Sequence, residues 1–302
     1  MLSRVAESIY WLARYLERAE NTARLVDATT NLILDLPPSV PISWTSVLDV
    51  IGSPESDLNE RAVMHRILVD SNFVSSIYSC VRFARESART TREIIPREAW
   101  EQINSLYLYI QSEAPHEMSR SDRNEFLHQV ILFCQQVHGI IHGSMSRDAG
   151  WRFWQIGQKL ERADMTTRIV DSRAASLIGS ETEDVTLLMR AGWLSVLNAL
   201  SAYQAYRRKV HHDIHEDDIL EFVFKDTLFP RSLVHCIQAL ESEISFLPNN
   251  EGIHDSMFKL HAQVMDLPLN EMSLEELHTM IDVLQFSIGE LHIGLADRYF
   301  QK

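Results

Sequence analysis

The chain reads as all-α, a multi-helix bundle in which one long helix is written twice. Three observations predict this. Residues 9–27 (IYWLARYLERAENTARLVD) return as residues 153–171 (FWQIGQKLERADMTTRIVD). Leu16, Glu17, Arg18, Ala19, Thr22, Arg24, Val26 and Asp27 recur there as Leu160, Glu161, Arg162, Ala163, Thr166, Arg168, Val170 and Asp171. Only ten Gly and nine Pro punctuate 302 residues, and long runs with helical apolar spacing dominate. Strand-type alternation is scarce. Repetition at a fixed offset is a fold-level signal. It predicts a single domain over 1–302 with pseudo-twofold character, in halves of about 1–145 and 146–302, whose helices run antiparallel through short loops.

The first helix is expected from Ser3 to Asp35, stopped by Pro37-Pro38. Short helices follow at Trp44 to Ile51 and at Asp57 to Val69, the second opened by Ser53 as N-cap and Pro54. Asn72 to Ile95 reads as a long helix carrying Arg82, Arg85, Arg89 and Arg92 within about 80° of one another. Pro96 opens a helix that closes near Pro115, and Asp122 to about His142 forms another. A hinge at Gly143 to Gly150 leads into the second copy of the repeated helix, which ends near Gly179. Thr182 to Val210 reads as one long helix, His211 to Asp218 as a polar loop, and Ile219 to Phe224 as a short helix. Phe229-Pro230-Arg231-Ser232 turns into a helix ending near Leu247, and His254 to Met265 is a further one. Ser273-Leu274-Glu275-Glu276 is a capping box that opens the last helix, to about Phe300.

With Leu16 at 0°, Leu12, Tyr15, Ala19, Ala23 and Val26 fall between about 260° and 340°, an apolar stripe. From about 20° to 120° lie Ala13, Glu17, Glu20, Arg24 and Asp27, and in the second copy Gly157, Glu161, Asp164, Arg168 and Asp171. Each copy thus carries an acid-acid-arginine-acid ladder with one small residue set into it. A single such ladder is ordinarily a solvated face. Trp11 and Leu25 on its far flank, and the small residues Ala13 and Gly157, place it instead in a helix-helix interface.

The net charge of −14 argues against a nucleic-acid partner, because such binding rests on a basic field. No apolar run is long enough to span a membrane. The three cysteines have neither a CxxC nor a zinc spacing and read as reduced thiols of a cytoplasmic protein. The first residues form an amphipathic helix with Arg4 and Glu7, unlike a signal peptide. No GxSxG, Walker loop or GxGxxG occurs. Glu125-x-x-His128 and Glu275-x-x-His278 have the spacing of dinuclear carboxylate sites, but chance supplies about one such pair, so no metal or other cofactor is expected. The His211 to Asp218 cluster reads as a solvated connection, and His138 and His142 as packing or hydrogen-bonding histidines.

Several stretches resemble the alpha-E family. They are LSRVAESIYWLARYLERAENTARLVD from Leu2, Ala84 to Arg89, Met145 to Asp164, Ser201 to Arg208, and Phe229 to Ser232, in that order. The chain departs from the family's text at Gln158-Lys159, where it is usually Arg-rich, and at Ser87, where Asn is usual. The resemblance spans nearly the whole chain. It implies an all-helical bacterial protein of uncharacterised molecular function. It also implies partners: an ATP-grasp-type ligase-like protein and a transglutaminase-like protease, in a peptide synthesis, tagging or modification system.

The candidate ligand-binding set joins the ladders to the arginines and the family's motif residues. It comprises Glu17, Glu20, Arg24, Arg85, Arg89, Arg147, Trp151, Glu161, Asp164, Arg168, Tyr203, Tyr206, Arg207 and Arg231. Arg85 and Arg89 are the expected counter-charges, since guanidinium suits bidentate pairing with carboxylate or phosphate. On this reading the chain holds an anionic peptide-like or phosphate-bearing ligand and works with the ligase-like enzyme. Two alternatives stand beside it: an enzyme using a ladder carboxylate as general base on an amide or ester, and a scaffold whose ladders only fix the bundle.

Overall fold

Helix formers and an apolar stripe, uninterrupted until Pro37, produce α1 at Ser3–Asp35. The computed structural model describes residues 2–37, 44–53, 58–113, 119–177, 185–211 and 214–301. Along the chain follow α2 (Thr45–Val50), α3 (Glu60–Leu68), α4 (Ile77–Thr90), α5 (Arg97–Glu113), α6 (Arg120–Ser144) and α7 (Ala149–Leu177). Then come α8 (Val185–Ala199), α9 (Tyr203–Lys209), α10 (Glu216–Lys225), α11 (Leu233–Ser245), α12 (Glu251–Met265) and α13 (Leu274–Tyr299). A 3₁₀ turn at Leu269–Glu271 precedes α13, and no strand occurs among the described residues. The protein is all-α.

Several boundaries differ from the sequence expectation, among them the end of α4 at Thr90 and the start of α12 at Glu251, and four more have a visible cause. The helix expected from Asn72 begins only at Ile77, because Ser76 caps it by accepting from the Ser79 amide at 3.1 Å. Asp70 folds the preceding turn by accepting from the Asn72 amide and from the Ser76 hydroxyl. The helix expected over Thr182 to Val210 breaks at Ser201, whose φ of 52° lies in the left-handed region. The N-cap of α3 is Asn59, which accepts from the Ala62 amide; the expected start at Ser53-Pro54 runs into residues outside those described. The polar loop ends sooner than expected, since Glu216, Asp217 and Asp218 already form the first turn of α10, where acids suit the helix dipole. The capping box at Ser273 and Glu276 is present with both of its hydrogen bonds.

The core forms around α1 and α7. α1 packs on α4 and α6, α4 on α5, and α5 on α6. α7 packs on α11 and α13, α11 on α12, and α12 on α13, the same order of neighbours. α1 and α7 also pack on each other along much of their length. Their contacts climb together: Tyr10 meets Gly157, Arg14 meets Glu161, Glu17 meets Arg162, and Leu25 and Ile169 line one cavity. The two helices therefore run side by side in the same direction, which corrects the antiparallel expectation for this pair. Gly157 permits the approach. A β-carbon there would fall well inside contact distance of the Tyr10 carbonyl oxygen.

Candidate functional site

Glu17 and Glu161 have no solvent exposure, and each is gripped by guanidinium groups. Arg162 binds Glu17 in a fork, Nε to Oε1 and Nη2 to Oε2, both at 2.8 Å. Arg18 binds Glu161 likewise, Nε to Oε1 at 2.5 Å and Nη2 to Oε2 at 3.0 Å. The Glu-Arg dipeptide of each helix is thus completed by the Glu-Arg dipeptide of the other. Such forks are the strongest form of this pairing.

Each carboxylate also has a second guanidinium, but from a different place. Arg14, one turn before Arg18, donates to Glu161 at 2.7 Å. Its counterpart in α7 is Gln158, which has no charge to give Glu17. Arg231, on the turn before α11, takes that place and donates to Glu17 at 3.0 Å, to Asn21 at 2.6 Å and to Glu20 at 2.9 Å.

That turn belongs to a further likeness. Asp226, Phe229, Ser232 and Cys236 repeat the spacing of Asp70, Phe73, Ser76 and Cys80. In both, the serine caps the next helix and donates to the carbonyl of the aspartate, and the thiol lies against the carbonyl of Val74 or Pro230. Arg231 stands where the first segment has Ser75.

The charges are firmly set. Burial by itself would raise the Glu17 carboxyl, but Arg162 and Arg231 outweigh it and hold the group well below the usual carboxylate range. Against the same burial, Arg18 and Arg14 push Glu161 down to about 2. Arg231 is lowered by burial and by the neighbouring Arg162, which marks an excess of positive charge. Five guanidiniums (Arg14, Arg18, Arg24, Arg162 and Arg231) face three carboxylates (Glu17, Glu20 and Glu161).

Two histidines border the cluster. Burial keeps His138 below its ordinary value despite Glu20, whose Oε2 lies 3.4 Å from Nδ1. Burial, with Arg14 nearby, pushes His292 down to about 4. The Tyr10 hydroxyl accepts from Arg14 at 3.0 Å and so donates to the neutral His292 Nδ1 at 2.8 Å.

Of the expected site residues, Glu17, Glu20, Arg24, Glu161 and Arg231 come together. Arg24 pairs with Glu20 at 2.8 Å and reaches the Ser201 hydroxyl at 2.7 Å. Asp164 and Arg168 pair with each other at 3.0 Å on the partly exposed edge. The expected counter-charges are corrected. Arg85 donates to Asn104 and stacks on Tyr107, while Arg89 pairs with Glu86. The reason is the orientation of α4, whose buried face is Cys80, Val81, Ala84 and Ala88, leaving its arginines to the aromatic side chains of α5 and to solvent. Arg147 stacks on Trp151 and donates to the His142 carbonyl. Tyr206 is buried against Phe222, Tyr203 is half-buried and Arg207 is exposed on α9. The residues missed are Arg14, Arg18, Arg162 and Asn21. The identity of Arg18 and Arg162 between the two copies was the signal for two of them.

Glu17, Glu20 and His138 bring possible metal-ligand atoms within 4.8 Å of one another, but Arg162 and Arg231 already fill the Glu17 oxygens. The same occupation removes Glu17 and Glu161 from a dinuclear arrangement with the two Glu-x-x-His pairs. His278 instead meets Asp171 at 2.5 Å, with Asp282 beside them. Burial pushes the Cys80 thiol up to about 12 and raises Cys134 and Cys236, so none is primed as a nucleophile.

These features define a helical protein whose two central helices are locked by exchanged Glu-Arg pairs. The chain belongs to the Alpha-E family, described as a predicted alpha-helical domain with a conserved ER motif, which it matches over residues 1–300. It is 22% identical over 317 residues to an uncharacterized protein of Mycobacterium bovis and to uncharacterized proteins of two Mycobacterium tuberculosis strains. The alignments cover 97% of this chain and 35% of each relative, so the chain spans about a third of their length. No solved structure matches it.

Proposed function

We propose that the chain is a holding and docking module, which binds an anionic peptide-like ligand and works beside an ATP-grasp-type ligase-like enzyme. The observation that carries this is the state of Glu17 and Glu161. Both are sealed from solvent, ionised and fully paired. A general base must sit near working pH and reach its substrate. Two carboxylates held well below that range and closed off by guanidiniums suit a rigid frame better than turnover. That weakens the reading of a ladder carboxylate acting on an amide or ester. The relatives support a module as well, since a match to 35% of each leaves most of those polypeptides for other parts.

The test is calorimetric titration of the whole chain with the ATP-grasp-type ligase-like protein of the same source, followed by an assay of amide and ester turnover by the chain alone. Saturable binding in the micromolar range without turnover is the expected result. Turnover by the isolated chain without binding would replace this reading with the enzyme reading.

A further inference from the structure

Near the C-terminal ends of α1 and α7, with α2 and α8 closing the sides, lies a cavity of about 300 Å³. Its walls are largely aliphatic, with Leu25, Val47, Ile169 and Val196 among them. Four of the hydroxyls in its walls are already committed to backbone carbonyls, Thr29 to Leu25, Ser172 to Ser46, Ser176 to Arg173 and Ser195 to Ala28. The charged group in its wall is Arg173.

This arginine differs from those of the Glu-Arg lock. Its Nη2 donates to the Leu188 carbonyl at 2.6 Å and to the Met189 carbonyl at 3.4 Å, and its Nη1 to the Ser176 hydroxyl at 3.2 Å. Nε is buried and has no partner among the described residues. Among the described residues none of its hydrogen bonds goes to a carboxylate. Gly192 makes room for it, because a β-carbon there would overlap the guanidinium. Burial, only partly offset by Glu216, brings Arg173 down to about 10. A desolvated cation without a matched anion is costly. A carboxylate in the cavity would offset that cost by its charge beside the guanidinium and by accepting from the second Nη1 hydrogen.

We propose that this cavity binds an aliphatic carboxylate, with the carboxylate on Arg173 and the apolar group between α1, α2, α7 and α8. The chemistry is shared by a short fatty acid and by a peptide ending in an apolar residue. The inference rests on the holding-module reading above, but it needs no partner protein. A failed titration here would leave a measured ligase interaction standing, and the reverse also holds.

Octanoate, octanol and N-acetyl-alanyl-leucine would be titrated into the whole chain and into Arg173→Leu, with thermal melts to verify folding. Saturable one-site binding of octanoate or the peptide is expected, at least tenfold weaker for octanol and for folded Arg173→Leu. A tenfold preference between the two acids identifies the source. Should the variant not fold, the octanoate-octanol comparison on the unaltered chain decides. Equal affinity for acid and alcohol, unchanged binding by folded Arg173→Leu, or no saturation by either acid would overturn the proposal.

Discussion

At Glu17 the two oxygens answer three donors from Arg162 and Arg231, so removing the charge while keeping the shape isolates what that charge does. Glu17→Gln leaves the buried Arg162 without its anion and Arg231 with Glu20 alone, and breaking a buried pair in this way costs about 3–5 kcal/mol. Urea denaturation should show that loss, with a similar one for Glu161→Gln. Glu17→Leu combined with Arg162→Met should recover part of it, because apolar replacement of a whole buried pair is often tolerated. A loss below about 1 kcal/mol for Glu17→Gln would mean that solvent reaches the lock. The sequence made Glu17 and Glu161 legible through repetition, and Arg231 through the family's motif, but not Arg14, Arg18 and Arg162. Arg18 lies about 100° from Glu17 around its own helix, so a helical wheel sets it outside the ladder. The partner is the other copy's glutamate, which no single-helix projection contains. Arg231 was among the candidates, but its pairing with Glu17 crosses 214 residues that no helix projection connects.

For the helices, the question is what lets α1 and α7 approach closely enough for those forks to form. Gly157 does so by lacking a side chain against the Tyr10 carbonyl, and backbone cannot swing aside as a side chain can. Gly157→Ala should therefore destabilise despite alanine's better helix propensity, by about 1–3 kcal/mol as for an overpacked core. Ala13→Gly in the matching position should cost roughly 1 kcal/mol or less through propensity. Chemical denaturation of the two variants checks the contrast, and a stabilised Gly157→Ala would show that the helices can part without loss. Element ends were readable where the chemistry is local: Pro37 after α1 and the box at Ser273 before α13. They were not readable where a tertiary contact decides. The break at Ser201 has no Gly or Pro to announce it, and it is tied down by Arg24 from a helix 177 residues earlier. Ser76→Ala and Ser232→Ala remove matched, buried N-caps. Each should lower stability by about 0.5–2 kcal/mol in a thermal melt.

On the scale of the whole molecule, these buried groups make stability depend on pH in one direction. His292, held to about 4, and His138, also lowered by burial, are neutral in the folded protein but charge near 6.5 when unfolded. Between those values the unfolded chain binds more protons, so stability is full above about 6.5 and falls as pH drops toward 4. Glu17 and Glu161 act the same way lower down. Their contribution is present above the ordinary carboxylate range and is lost as pH falls toward about 2, where Glu161 takes its proton. From pH 7 downward the melting temperature should decline in two stages, a histidine stage above pH 4 and a carboxylate stage below about 4.5, while His278, raised by its hydrogen bond to Asp171, works the other way near neutral pH. Calorimetry from pH 8 to pH 3 tests this, and His292→Gln should shrink the first stage to what His138 contributes while leaving the second. Because the lock is sealed from solvent, 0.5 M salt should shift neither stage much, whereas surface pairs such as Arg97 with Glu101 would be screened. A melting temperature constant from pH 7 to pH 4 would mean that the histidines open to water before the bundle unfolds, so that α6 and α13 are not held against the central pair as described.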